Sequence, residues 1–193
     1  MKQASRITGR PRGFDREKAV ETAMTLFRRH GYEGVSLAML TDAIGIAPPS
    51  LYAAFGSKAG LYAEALDLYA GRARHVALPK EQGLSLDQAL LRFFASAIEH
   101  VRDARQSGCM ISTGMLECHP DHAGLAADLS RRREAMQACI EQDLAFWLPP
   151  DDAAQLAPFV CAILQGISVQ ARDGASVDQL RGIASRAVRS LAT

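Results

Sequence analysis

Apolar residues recur at helical spacing along nearly the whole chain. Val20, Ala23, Met24 and Phe27 fall at i, i+3, i+4 and i+7, which predicts a helix with one buried face. Asp15 caps its start, and Arg28, Arg29 and His30 put positive charge at the carboxyl end that the helix dipole favours, before Gly31 ends it. Leu37, Leu40, Ala43 and Ile44 predict a short second helix over Leu37–Ile44, capped by Ser36 and closed by Gly45, the residue that tolerates a left-handed backbone. Ile46 fills the turn. Pro48 and Pro49 then open a third segment, where first-turn amides have no intrahelical partner to lose. Leu51, Tyr52 and Phe55 form its apolar edge. Gly56 stops it, and Ser57 caps the helix that follows.

Two helices of about eight residues joined by a glycine turn match the helix-turn-helix pattern, and the preceding helix supplies a third face to close a small core. The stretch Phe14–Lys58, and above all LFRRHGYEGVSLAMLTDAIGIAPPSLYAAFGSKAGLY, resembles the amino-terminal domain of TetR-family repressors. The matching parts are Leu26-Phe27 followed by Gly31-Tyr32-Glu33-Gly34 and Ser36, the turn at Gly45, the Ser50-Leu51-Tyr52…Phe55 run, and Gly56-Ser57-Lys58. The resemblance covers about the first third of the chain closely; the rest agrees only in helical layout.

The resemblance implies that Ser36 and the start of the third helix (Ala47, Pro48, Pro49 and Ser50) face DNA, the latter in the major groove. It also implies that Tyr52 and Lys58 hold phosphates, Lys58 at a helix amino end that already attracts anions. Thr41 is a further candidate contact. Against these stand plainer readings: Tyr52 as core, Lys58 as a solvated lysine, Thr41 as exposed filler. This head departs from its relatives at Pro48, Ala53 and Ala54, where long polar side chains are common. Recognition is therefore expected to lean on thymine methyl groups and DNA shape.

Ahead of the head, Lys2, Arg6, Arg10 and Arg12 alternate with glycine and proline, and no apolar run follows to make a signal peptide. Residues 1–13 are read as a basic arm, with Arg10 and Arg12 reaching the minor groove when DNA is bound. Charge agrees. Through Lys58 there are nine Lys/Arg against five Asp/Glu, and beyond it thirteen against sixteen, so a chain of net charge +1 hides a basic head on an acidic body. An architectural DNA-binding protein would carry a broad basic surface instead.

The domains are thus an arm (1–13), a helix-turn-helix head (14–60) and a helical body (61–193), and the class is all-α. In the body, Leu61–Val76 continues the fourth helix and Pro79–Ser85 is a linker. Leu86–Asp103, Gly108–Cys118 and Ala123–Phe146 are further helices, the last with Arg131-Arg132-Arg133 on a solvated face. Pro149-Pro150 breaks the chain. Ala153–Ala171 and Val177–Leu191 follow, parted by Asp173-Gly174. Phe159, Val160, Ile163, Leu164, Ile167 and Val169 surround most of one helix, which must be buried on more than one side. Ile183, Ala184, Ala187, Val188 and Leu191 add a second stripe. The resemblance implies a four-helix dimer interface here, with Phe159, Ile163, Gly166, Ile167, Ile183, Ala187 and Leu191 in it and Ala162 and Gly166 allowing close approach. The alternative is that both helices only close the subunit's core. A twofold dimer predicts a roughly palindromic operator.

The longest apolar stretches read as too short or too interrupted to span a bilayer. Four cysteines without paired spacing point to a reducing compartment, hence a cytoplasmic protein. The resemblance implies release of DNA by a small molecule, and Phe93, Phe94, Cys109, Met110, Met115, Met136 and Trp147 are the candidate lining residues, against the plainer reading of each as core, with a bulky apolar or aromatic effector expected. Two other sensing chemistries have candidate residues in the chain. Cys109, after Gly108 at a predicted helix start, has the setting of a reactive thiolate, against the reading of a structural cysteine. Cys118, His119, Asp121 and His122 lie close enough to suggest a soft metal, but without paired ligand spacing, so a surface turn is preferred and no metal or cofactor is expected. Glycine-loop, nucleophile-elbow and HExxH patterns are missing, which argues against an enzyme.

Overall fold

The computed structural model describes residues 14–73, 77–101, 109–114 and 118–191. Arg10, Arg12 and Met115 lie outside them. The described residues form nine α-helices and no strand: α1 (Arg16–Gly34), α2 (Leu37–Ile44), α3 (Pro48–Phe55), α4 (Lys58–Ala73), α5 (Leu86–Val101), α6 (Met110–Thr113), α7 (Ala123–Leu144), α8 (Pro150–Arg172) and α9 (Val177–Arg189). A single 3-10 turn, Pro120–His122, leads into α7.

Two apolar cores organise these helices. The first is built on α1–α3 from Ala23, Met24, Phe27, Leu40, Leu51 and Phe55, and takes in Leu61, Tyr62, Ala65 and Leu66 of α4. It runs on to Met110 and Ile111 of α6 and Leu129 of α7. The second lies among α5, α7, α8 and α9, around Phe93, Phe94, Ile98, Leu144, Val160, Ile167 and Leu180. Packing therefore does not part at residue 60. The helix α4 buries its apolar side in the head's core, and ion pairs Arg16–Glu64, at 2.6 Å, and Arg72–Glu21 tie it to α1.

The head forms as its punctuation dictates. Asp15 accepts from the Lys18 amide, Ser36 Oγ from the Met39 amide at 3.1 Å, and Gly45 takes the left-handed conformation (φ 76°, ψ 36°). Gly31, at φ 72°, breaks α1, and Tyr32–Gly34 resume a short helical turn after it.

The body departs from expectation in several places. Of the segment read as a helix over Gly108–Cys118, the described residues form one turn, Met110–Thr113, and the chain leaves it extended at Gly114 (ψ 133°). A Cβ there would sit 2.2 Å from the Met110 carbonyl and 3.1 Å from Leu129, so only glycine allows this approach. Pro149-Pro150 does not merely break the chain: Pro150 is the first residue of α8, which starts three residues before Ala153. The arginine run is not a solvated face. Arg131 is exposed, but Arg132 pairs with Asp67 of α4, and Arg133 donates to the carbonyls of Ile111 and Gly114 at 3.1 and 3.2 Å. A solvated face and a clamp carry the same residues, and only the neighbouring helices decide. Finally, α8 is long and apolar enough, by length and composition, to cross a membrane, contrary to the sequence reading. Its buried residues Val160, Leu164 and Ile167 are packed in the second core.

Candidate nucleic-acid interface and the cavity behind it

Ala47, Pro48, Pro49 and Ser50 are all exposed, on the open side of α3, while Leu51 and Phe55 turn inward. Two prolines without amide hydrogens, and a Ser50 amide already donating to the Ala47 carbonyl, leave this first turn few backbone donors. What it offers a groove is ring carbons, a methyl group and one hydroxyl. Tyr52, 47 % exposed, is on the surface and not in the core. Ser36 is exposed at the head of α2, where its hydroxyl is the cap.

Two of the expected contacts are less open than the rest. Thr41 is only 5 % exposed, and its hydroxyl donates back to the Leu37 and Ala38 carbonyls, so it is a buried residue of α2 and not a surface contact. Lys58 is half-buried, with its ammonium 4.2 Å from the centroid of the Tyr32 ring. Burial holds the Lys58 ammonium below the usual lysine range, with Glu33 pulling the other way. The other side of this aromatic group belongs to the body: the His122 ring meets Tyr32 edge-on at 4.8 Å, and His122 Nε2 lies 3.6 Å from Glu33.

Behind the head lies a cavity of about 560 Å³ bounded by α4, α5, α6, α7 and α8. Of the residues predicted to line a pocket, Phe93, Cys109 and Met136 do. Phe94 is buried in the second core, and Trp147 Nε1 donates to the Leu84 carbonyl at 2.8 Å away from the cavity. Met110 lines a smaller cavity of about 250 Å³ at the junction of head and body, where Tyr32 and Tyr62 stand opposite Arg172; Cys109 borders both. Sequence reasoning missed Tyr69, His100 and Ser112 on the larger cavity's wall. Tyr69 follows Leu66 at helical spacing and reads as ordinary core; nothing in a linear pattern marks a hydroxyl that finds no well-formed hydrogen bond.

Cys109 is the N-cap of α6, its sulfur accepting from the Ser112 amide at 3.5 Å. Burial pushes the Cys161 thiol up to about 11, which makes it inert at neutral pH. The His119 and His122 rings meet edge-on at 6.3 Å. Among the described residues no group of three or more His, Cys, Asp or Glu side chains is arranged to hold a metal; His119 Nδ1 instead accepts from the Asp121 amide.

On α8, Phe159, Ala162, Gly166 and Val169 form an exposed stripe, with Ile163 half-buried beside it. Ile167 is fully buried and Ala187 nearly so, which puts both in the subunit's own core and not on a face open to a partner. Ile183 and Leu191 are half-buried.

An exposed reading helix on a three-helix head, carried by a helical body with a cavity, defines a helix-turn-helix DNA-binding fold. Residues 19–65 match the family described as bacterial regulatory proteins, tetR family. Across 191 residues the chain is 37 % identical to the HTH-type transcriptional repressor ComR of Escherichia coli (strain K12), covering 94 % of this chain and 90 % of that one. The HTH-type transcriptional repressor BdcR of the same organism is 34 % identical, over 100 % of this chain and 96 % of its own. Among solved structures, a cysteine-substituted TetR-family regulator CifR in complex with 26-base-pair operator DNA superposes with a TM-score of 0.85 at 33 % identity, over 94 % of this chain and 99 % of that one. The chain belongs to the TetR family and is a helix-turn-helix DNA-binding transcriptional regulator.

Proposed function

We propose that this regulator is a cytoplasmic repressor, without catalytic activity of its own, that binds a roughly palindromic operator as a homodimer and releases it when a small molecule fills the body cavity. In this reading residues 1–13 are a DNA-reaching arm bearing Arg10 and Arg12, 14–60 the DNA-binding head, and 61–193 the effector-binding and dimerisation body. Ser36, Ala47, Pro48, Pro49 and Ser50 face the groove, and Tyr52 and Lys58 take phosphates.

One observation carries the reading: a single helix, α4, joins the two sites. It begins at Lys58 beside the reading head and brings Tyr69 to the cavity wall. An effector that displaces α4 changes the separation of two heads held in one dimer. Effector and operator then weaken each other's binding by the same factor. The operator complex of CifR, a relative at one-third identity, supports the choice of DNA as partner.

The test is a fluorescence-anisotropy titration against DNA from around the protein's own coding region, at several salt concentrations. Tight binding to one fragment that falls steeply with salt bears the reading out. Weak binding indifferent to sequence, repeated in a selection from random DNA, sinks it.

A second reading makes Cys109 a thiol sensor within the same build. It is favoured by the position of Cys109 on the walls of both cavities. Loss of operator binding on mild oxidation or alkylation that Cys109→Ser abolishes would establish it. An unchanged response in Cys109→Ser would remove it.

A further inference from the structure

Three buried polar atoms in the body lack a well-formed hydrogen bond: His100 Nε2 and Ser112 Oγ, and Tyr69 Oη, which has only the Cys109 thiol and the Met110 backbone beside it. All three residues stand on the wall of the same cavity of about 560 Å³, and they come from three helices, α4, α5 and α6. Buried polar groups are nearly always paired, and an unpaired one is costly. Three such residues on the wall of one space are the pattern of a site built to receive polar atoms from outside. Tyr69 is 2 % exposed and Ser112 5 %, so neither hydroxyl can turn to bulk water for its bond.

The rest of the wall fixes the charge of the guest. The charged side chains on it are already engaged. Arg132 holds Asp128 at 2.7 Å and Asp67 at 2.6 Å, while Asp143 takes Lys80 at 2.7 Å and the Leu78 amide at 3.2 Å. An ion entering the cavity would lose its hydration without meeting an unengaged counter-charge. Burial holds the Tyr69 phenol far above its usual range, so it stays a protonated donor. Burial, and then the nearby Arg28, hold the His100 ring below the usual histidine range and keep it neutral. The remaining surface is apolar, from Phe93, Val101, Met136, Ile140 and Leu164.

We propose that the cavity takes an uncharged, mainly apolar molecule with one oxygen head group (a phenol, alcohol, aldehyde or ketone), held jointly by Tyr69 Oη, Ser112 Oγ and His100 Nε2. This rests on the reading of the cavity as the effector site and narrows it to a chemical class. The apolar body lies against Phe93 and Met136. The head group supplies the bonds that the three side chains lack in the empty protein.

A matched series separates head group from body: naphthalene, naphthol, naphthaldehyde, naphthoate and naphthylmethylammonium, each titrated calorimetrically into the full-length protein. Naphthol and naphthaldehyde should bind about tenfold more tightly than naphthalene, the gain expected of one or two made hydrogen bonds, and both ions more weakly than naphthalene. Tyr69→Phe and Ser112→Ala should each erase most of that preference and leave naphthalene binding within about twofold, since neither removes apolar wall. Ser112→Ala loses no bond in the free protein, and Tyr69→Phe loses only the weak contact of its hydroxyl with Cys109 and the Met110 backbone, so both should fold. The proposal is overturned if an ion binds as tightly as naphthol, if the head group gains nothing over naphthalene, if the preference survives in the Tyr69→Phe, Ser112→Ala double variant, or if no member of the series binds. Operator binding followed in the same samples tells the two readings apart. A head-group preference that leaves operator affinity unmoved keeps the ligand class and removes the effector role. Absence of the preference in a protein that still releases DNA to other compounds removes only the ligand class.

Discussion

The Arg132 guanidinium of α7 lies 2.6 Å from the Asp67 carboxylate of α4, while its Nε holds Asp128, one turn back on α7, at 2.7 Å. Arg132 is thus a strap between the wall of the cavity and the helix that carries the head. Burial opposes ionisation of Asp128, but hydrogen bonds and charge from Arg132 and Arg131 outweigh it and leave the carboxyl below its usual range. The Asp67 side chain is 67 % exposed, so solvent screening keeps the worth of its pair with Arg132 to stability modest, about 1 kcal/mol.

Its worth to coupling is a separate quantity. Asp67→Asn leaves the Arg132–Asp128 pair intact and removes the charge on α4 alone. We expect operator affinity without effector to stay within about twofold, and the effector's power to weaken it to fall by a few-fold, in the range of coupling terms carried by single contacts. A titration of operator binding with and without effector checks this. An unchanged ratio in Asp67→Asn would mean that α4 is moved by packing and not by this strap.

Tyr52 and Lys58 should separate under salt. Tyr52→Phe removes an exposed neutral hydroxyl. It should lower operator affinity about five- to tenfold with no change in the salt slope, and leave thermal stability nearly unaltered. Lys58→Ala removes a charge, and should reduce the slope of log affinity against log salt by about one. It also strips the cation from the Tyr32 ring, so a small loss of stability accompanies it. Equal slopes in wild type and Lys58→Ala would mean that the ammonium stays on Tyr32 when DNA is bound and holds no phosphate.

The head was legible because its instructions are local. Ser36, Gly45, Pro48 and Gly56 act within three or four residues of themselves, and the structure sets α2 and α3 at the bounds they predict. The direction a side chain faces was less legible, since helical spacing places Thr41 on a face without saying what that face meets. The same holds on α8, where Gly166 and Ile167 are neighbours in sequence but one is exposed and the other fully buried. The cavity's polar wall was not legible at all. Tyr69, His100 and Ser112 stand on separate helices, and their lack of well-formed hydrogen bonds is a property of the assembled body.

Buried tyrosines set an upper pH limit on the fold. Burial pushes the Tyr62 phenol up to about 12, and Tyr69 further still. In the unfolded chain both ionise near pH 10, so above that pH the unfolded state holds fewer protons than the folded one and is favoured as pH rises. Cys161, also raised by burial, starts the loss of stability near pH 9, and above about pH 10 each of the two tyrosines adds a fall of up to about 1.4 kcal/mol per pH unit until its folded value is passed. Urea denaturation at a series of pH values from neutral to pH 11 measures this. Constant midpoints throughout would contradict the burial of both rings. Tyr69→Phe should make the fall above pH 10 shallower without abolishing it, because Tyr62 and Tyr32 are raised by burial as well.

Gly166 offers a test of the dimer that leaves the subunit untouched. A Cβ built at Gly166 meets nothing within 4 Å inside one chain, and the residue lies in the middle of the exposed stripe of Phe159, Ala162 and Val169. Within an isolated subunit Gly166→Leu should be neutral or stabilising, because glycine is the weaker helix former by up to about 1 kcal/mol. If the stripe packs closely on its copy in a second subunit, a leucine there forces the two helices apart. Gly166→Leu should then dissociate the dimer at micromolar concentration in light scattering, with the far-UV spectrum of the helices retained. Because one head alone reads only half of a palindrome, operator affinity should fall with it, and Phe159→Glu should act in the same direction. A Gly166→Leu protein that remains a tight dimer would show that α8 does not meet its copy through this stripe.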